Sequence, residues 1–307
     1  MRLSFTPNGS TAYVANNDDG TVSVIDVASH TVTDTITVGS WPAAQGLFIN
    51  IPALYRPIAY ITDFSSNNVS LIDTNIRAVI ATVNVGTEPI GVALTPDGTM
   101  AYVANYGSNS VSVINTSTRA IAATVTVGTN PLGVAITPDG TKAYVANSGS
   151  GTVSVINTST NTVSTTVTVG SDPFGVAITP DGTKAYVANN GAGTVSVINT
   201  STNTVSTTVT VGSGPFGVGI TPDGTKAYIA NNGTDTVSVI NTSTNTVAAT
   251  SSLQNGVQRL MPLARGLGMA QVPKPETRLS HGLNRLFVSA WLKPLPTFSR
   301  SPQGTAR

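Results

Sequence analysis

Carboxylates at a fixed spacing are the first chemistry the chain offers. Asp97, Asp139, Asp181 and Asp223 lie in Thr-Pro-Asp-Gly copies 42 residues apart. Such an array invites a calcium reading. One carboxylate per turn, on turns a whole repeat apart, cannot supply the roughly six to eight oxygens of a single ion. Asn17-Asp18-Asp19-Gly20 is the densest acidic cluster and lacks the remaining ligands of a calcium loop. Two isolated histidines, His30 and His281, without any cysteine, do not make a zinc site. The lack of cysteine also removes thiolate nucleophiles, disulfides, iron–sulfur clusters and covalent haem attachment. There is no Gly-x-Ser-x-Gly elbow and no usable Ser/His/Asp order. No catalytic residue, metal or cofactor is assigned on these grounds.

The elements that carry these residues are set by an internal repeat. An Ala-Tyr pair places tyrosine at 13, 60, 102, 144, 186 and 228, so one step is 47 residues and the others are 42. The long step reflects a five-residue insertion near Asn50–Arg56, where Thr-Pro-Asp-Gly is also lost. Six units result, and the last four are near copies. In the unit from Asn130 to Gly170, Pro131 to Thr137 reads as strand A, Lys142 to Asn147 as B, Thr152 to Asn157 as C and Thr162 to Val169 as D. The turns between them are Pro138-Asp139-Gly140-Thr141, Ser148 to Gly151, and Thr158 to Asn161. No stretch has helical periodicity, so each unit is an antiparallel meander.

Alternation along the strands predicts how the meanders pack. Val134 and Ile136 oppose Gly133 and Ala135; Tyr144 and Ala146 oppose Ala143 and Val145; Val153 and Val155 oppose Ser154 and Ile156. Apolar residues on both faces call for cover on both faces. In strand D, Val163, Val167 and Val169 are expected on one face, with Ser164, Thr166 and Thr168 on the other, as in an outermost, partly wet strand. Four-stranded units of this length, stacked face to face around an axis, are propeller blades. The expected fold is all-β: a propeller of six four-stranded antiparallel blades, or an incomplete seven-bladed one, with an irregular C-terminal tail. The propeller spans 1–250, with blades at about 1–40, 41–87, 88–129, 130–171, 172–213 and 214–250.

Ala143-Tyr144-Val145-Ala146-Asn147, preceded by Thr-Pro-Asp-Gly and followed by Thr152-Val153-Ser154-Val155-Ile156, resembles the YVTN-type β-propeller repeat. Surface-layer and other envelope proteins of bacteria and archaea use that repeat. The resemblance covers residues 1–250 and implies an extracellular or cell-envelope location and a structural or binding role. Members usually close with seven blades, and six are counted here. Related repeat folds also serve quinone-dependent dehydrogenases, haem d1 enzymes and sugar lactonases. That leaves an alternative: a cofactor-dependent or lactonase-like enzyme with its site at the axial channel. Such sites need Arg, His, Asp or Glu near the axis, where this chain offers Gly-Val-Ala-Ile-Thr.

In a propeller, the loops from strand D to the next strand A and from B to C share one face. There the units differ most. The residue before the loop proline is Trp41, Glu88, Asn130, Asp172 or Gly214, and the residue after it is Ala43, Ile90, Leu132, Phe174 or Phe216. The B–C loops add Asp18, Phe64, Tyr106 and Asp235. Trp41, Phe64, Glu88, Tyr106, Asn130, Asp172, Phe174 and Phe216 are the candidate tips for recognising a protein or glycan, with drift in turns as the plain alternative.

Charge and composition bound the partners. Charged residues are 9% of the chain and formal net charge is +1, which argues against whole-molecule binding to nucleic acid. Residues 1–250 carry 7 basic and 13 acidic side chains, whereas 251–307 carry 8 and 1. No apolar run approaches the roughly 18 residues of a membrane span. Met1 to Pro7 hold no signal-peptide core, which leaves either retention inside the cell or a start downstream of the natural beginning. After Thr250 the repeat stops, and 251–307 hold six Pro and six Arg without a period. This tail reads as a basic extension, as a degenerate seventh blade with Arg285 to Ala290 as its strand B, or as out-of-frame translation of a further repeat. The abrupt loss of register favours the last. Re-sequencing the coding DNA from residue 245 onward should then reveal, in another frame, Gly-Ser-x-Pro-x-Gly-Val-Ala-Ile-Thr-Pro-Asp-Gly; if no frame encodes it, the basic tail is native.

Overall fold

In the computed structural model, the residues described are 2–6, 9–43, 49–50 and 58–252. The insertion near Asn50–Arg56, His281 and the tail with its strand-like Arg285 to Ala290 lie outside them, apart from Asn50, Ser251 and Ser252. The described residues form twenty-four strands and one short 3₁₀ turn, Ser148–Ser150. The strands make six four-stranded antiparallel sheets in sequential order. In blade four these are A (Pro131–Ile136), B (Lys142–Asn147), C (Thr152–Asn157) and D (Thr162–Thr168). The turns form as their residues dictate. Asp139 Oδ1 accepts from the N–H and hydroxyl of Thr141 at 3.0 and 2.9 Å, and Gly140 sits at φ +73°. Asn157 Oδ1 accepts from the N–H and hydroxyl of Ser159 at 2.9 and 2.7 Å, and the turn ends in left-handed Asn161.

The core lies between blades. We call the face toward the preceding blade leading and the other trailing. Tyr144, Ala146, Val153, Val155 and Val167 on the trailing face of blade four bury against Ala185, Val187 and Ile198 on the leading face of blade five. The same positions recur between blades three and four and between five and six. The alternation expected for strands A, B and C therefore holds.

Strand D departs from it. Val163 packs with the core between blades three and four, whereas Val167 and Val169 pack with the core between four and five. The pairing passes from Val155↔Thr165 to Ile156↔Val163 and leaves Ser164 as a bulge. One extra residue inverts the parity of everything beyond it. The Ser164 hydroxyl donates to the carbonyl of Val155 at 3.0 Å and so occupies the bulge, and Ser206 repeats this on Val197.

A polar latch crosses three of the interfaces. The hydroxyls of Tyr102, Tyr144 and Tyr186 each donate to the Oδ1 of Asn161, Asn203 and Asn245 in the next blade, all at 2.6 Å. Burial pushes each of these phenols up to about 12. In blades two and three the latch residue differs: Arg77 and Arg119 hold the same left-handed position. Tyr13 donates instead to the Thr74 carbonyl at 3.1 Å, while the buried Tyr60 hydroxyl has no partner because a guanidinium offers no acceptor.

Near the axis the A strands approach closely. A Cβ on Gly133 or Gly175 would lie 2.5 Å from the carbonyl oxygen of Phe174 or Phe216. The equivalent Gly217 of blade six has nothing within 4 Å. Gly133→Ala should cost about 1–3 kcal/mol through overpacking, whereas Gly217→Ala should be neutral or slightly stabilising. Denaturant unfolding of dilute protein measures both.

Candidate functional site

The loop tips rest on a uniform backbone. Trp41, Glu88, Asn130 and Asp172 all have φ between 51° and 55°, and Gly214 has φ 61°. Each is pinned by the next B–C loop, whose N–H donates to its carbonyl: Phe64 to Trp41 at 3.0 Å, Tyr106 to Glu88 at 3.0 Å, Ser148 to Asn130 at 3.0 Å and Asn190 to Asp172 at 2.8 Å. From the other side, the side-chain oxygens of Asn67 and Asn109 accept the N–H of Glu88 and Asn130 at 2.8 Å. The chain must enter strand A in a left-handed step, which Gly, Asn and Asp accept readily. Trp and Glu do so at a cost.

Beneath each tip lies a fixed joint. The glycine ending each D–A approach packs against the last residue of the following strand B: a Cβ on Gly128 would meet Asn147 at 2.7 Å, and one on Gly170 would meet Asn189 at 2.7 Å. Those asparagines donate Nδ2 to two hydroxyls, as Asn147 does to Thr152 and Ser154 at 3.1 and 2.9 Å. The loop backbone is thus held alike in every blade while its side chains vary.

The structure sorts the eight candidate residues into groups. Trp41 and Phe64 form a tilted ring pair with centroids 6.4 Å apart, and Trp41 is 54% exposed. Glu88, Tyr106 and Asn130 are joined in series, because Asn130 Nδ2 also donates to the Tyr106 carbonyl at 3.3 Å. Phe174 and Phe216, from adjacent A strands, lie with centroids 3.7 Å apart. Asp172 stands exposed and apart from these groups, bonded to Asn190 through the backbone. Of the residues after the loop proline, Ala43 and Leu132 are buried in the core.

One residue of the site was not among the candidates. Asp63 is fully buried at the strand-B position that is Asn16, Asn105, Asn147, Asn189 and Asn231 elsewhere. Its mark in the sequence is an acid in the last place of Ala59-Tyr60-Ile61-Thr62-Asp63. It lies under the Trp41–Phe64 pair, bridged to Pro42 in the sheet. Burial pushes its carboxyl up to about 6, against the opposing pull of the Ser70 hydroxyl, 2.7 Å away, and of the Gly39 and Ser70 N–H groups. The turn carboxylates behave oppositely. Asp97, Asp139, Asp181 and Asp223 are held below the usual range, first by the hydroxyl of the preceding Thr and then by the following Thr N–H. Their oxygens are engaged within their own turns. Among the described residues, no group of three or more His, Cys, Asp and Glu is placed to hold a metal ion, and no helix is long and apolar enough to cross a membrane.

Comparisons with known proteins agree with this architecture. Residues 96–192 match the family described as YNCE-like beta-propeller. Hydrazine synthase of Kuenenia stuttgartiensis is similar in structure, with a TM-score of 0.70 and 24% identity over 78% of this chain and 75% of that one. A functionally unknown protein from Desulfotomaculum acetoxidans gives 0.62 and 20% over 81% and 84%. No curated protein matches the chain. The fold is a β-propeller. At these identities the likeness concerns the fold alone, because propellers host many functions.

Asp63 gives a test of the joint. Its raised carboxyl means the folded state resists ionisation more than the unfolded one. The penalty is absent below about pH 4, grows as pH rises through 6 and is complete above that. Asp63→Asn should therefore stabilise the protein by about 2–3 kcal/mol at pH 7.5 and by nothing at pH 4. Thermal melts across that range check it.

Proposed function

We propose that the protein is a non-catalytic propeller scaffold of the cell envelope or of secreted material, binding a protein or glycan through the face that carries its D–A and B–C loops. The observation that carries this reading is Trp41. A bulky aromatic in left-handed backbone is strained by about 1–2 kcal/mol, yet here it is held more than half exposed beside Phe64. Burial does not compensate that cost, so a role outside the chain is the physical reason to keep it. Aromatic anchors on a rigid rim lose little entropy on binding. The low charge of the surface suits a neutral or weakly charged ligand.

The apolar A strands of blades three to six accord with the same reading. Strand A of blades three to six runs Pro-Ile-Gly-Val-Ala-Leu, Pro-Leu-Gly-Val-Ala-Ile, Pro-Phe-Gly-Val-Ala-Ile and Pro-Phe-Gly-Val-Gly-Ile. These four strands are built of proline, glycine and apolar residues alone.

Trp41→Gly separates binding from stability. It should raise stability by about 1 kcal/mol by releasing the strained backbone. It should also weaken capture on an array of envelope polysaccharides or purified envelope proteins by at least tenfold. Tyr106→Ala should weaken binding without the gain in stability. Unchanged capture by both variants, or no envelope location of the intact protein, refutes the proposal.

A further inference from the structure

The joint beneath the loop tips is alike in five blades and differs in one. Strand B ends in an asparagine whose Nδ2 donates to the hydroxyl opposite it on strand C. The pairs are Asn16 with Thr21, Asn105 with Ser110, Asn147 with Thr152, Asn189 with Thr194 and Asn231 with Thr236, all at 3.0–3.1 Å. In blade two the opposed residues are Asp63 and Asn68. Asp63 Oδ2 stands where the other blades have Nδ2. It meets the Ser70 hydroxyl and lies 2.8 Å from a Cβ built on Gly39, as Nδ2 of Asn189 meets Ser196 and a Cβ on Gly170. Asn68 then faces an oxygen where its counterparts face an N–H. Its own Oδ1 is buried without a hydrogen-bond partner. Its amide nitrogen is engaged elsewhere, with the Ser66 carbonyl at 3.3 Å, so exchanging the amide's two ends would set oxygen against oxygen there.

This pair supports the tip above it. Asp63 bridges to Pro42, and the three residues after it hold the loop: Phe64 N–H donates to the Trp41 carbonyl at 3.0 Å, Ser65 N–H to the Ser40 carbonyl at 3.2 Å, and the Ser66 hydroxyl accepts from Ser40 N–H at 2.8 Å. A buried carboxylate set against an acceptor is relieved by admitting water or by swinging outward. The loop through Gly39 lies against it, so either route parts the loop from strand B. The titratable groups on the surrounding elements are Tyr60 on its own strand, Asp73 at the far end of strand C, Tyr13, Asp26 and Asp34 in blade one, and Glu88 and Tyr102 in blade three. None of them pulls on the Asp63 carboxyl, which burial displaces against its hydrogen bonds.

We infer that Asp63 holds a proton in the folded protein, donates it from Oδ2 to the Asn68 amide oxygen, and releases the Trp41 loop when that proton is lost. The acid then makes the one donation that the asparagine amide makes in the other five blades, and it still accepts from the Ser70 hydroxyl at 2.7 Å. Without the proton, acceptor opposes acceptor in a buried place, and the loop gives way. The joint thus acts as a pH-sensitive catch under the exposed tryptophan. Its meaning for binding rests on the reading of Trp41 as a recognition tip; the proton and the loop movement do not.

The test uses the full chain carrying Trp291→Phe, which leaves Trp41 as its sole tryptophan. Quenching of Trp41 emission by acrylamide should rise with pH along one sigmoid centred at about 6. Adding Asp63→Asn, which restores the residue of the other blades, should flatten it. Infrared difference spectra between these two proteins should show the carbonyl stretch of one protonated, buried carboxyl at about pH 5 and lose it by about pH 7.5. Amide exchange at Phe64 and Ser65 should match in the two proteins at about pH 4.5 and run at least about tenfold faster with Asp63 at about pH 7.5. A carboxyl moved from 3.8 to about 6 bounds that ratio at roughly a hundredfold. Asn68→Thr supplies a hydroxyl that donates to the ionised form, so the midpoint should fall by about one pH unit. A flat Trp41 signal, an unchanged sigmoid in Asp63→Asn, or no carboxyl band at about pH 5 overturns the inference. Failure of ligand capture with the sigmoid intact would sink the recognition reading and leave the catch standing; a flat signal with capture intact does the reverse.

Discussion

No blade of this protein can stand alone, and that constraint governs the rest of the molecule. A four-stranded meander with valine, isoleucine and tyrosine on both faces must be covered on both faces. The trailing tyrosine of each of the first five blades is buried only because the next blade brings alanine, valine and isoleucine to it. The crowding explains the small residues of strand B and the bare glycines of strand A, where adjacent backbones nearly touch. It also explains the position of the Tyr–Asn latch, since a buried hydroxyl between two sheets must find an acceptor. Where the latch residue is arginine, Tyr60 remains without one, and the near-identical last blades all restore asparagine.

The loop face obeys a different rule. Its backbone is fixed by the joint beneath it: glycine against asparagine, carbonyl against the neighbouring loop, and a left-handed step into strand A. Once those are in place, the tip side chain is free to vary. That freedom accommodates Gly214, Asn130 and Asp172 at little cost and Glu88 and Trp41 at a higher one. Blade two stands out twice, with a strained exposed tryptophan above and a buried carboxylate in place of the joint asparagine below. Divergence in that blade affects both the loop tip and the stability of its support.

The fold likeness to proteins of about one-fifth to one-quarter identity follows from the same physics. Face-to-face packing of meanders demands a pattern of small, branched and aromatic residues, and many sequences satisfy it. Loop chemistry is under no such demand. Similar coordinates can therefore accompany dissimilar functions, and the functional reading rests on the tips rather than on the scaffold.

The repeat, the strand order, the turn types and the two-faced packing of strands A to C were legible in the residues, because each depends on alternation or turn chemistry within a few positions. The candidate tips were legible too, as the places where near-identical units differ. Tertiary structure alone decided the rest. The bulge at Ser164 sends Val163 and Val167 to opposite interfaces, and a bulge depends on pairing with strand C rather than on the pattern of strand D. The pairing of Trp41 with Phe64, and of Phe174 with Phe216, depends on how loops and blades are brought side by side. Asp63 carries no sign of burial in its own segment; its environment comes from Gly39 in the preceding D–A loop and Ser70 in the neighbouring strand C. The exposure of Tyr228 is likewise a property of its neighbours, since Tyr102, Tyr144 and Tyr186 are sealed by the next blade.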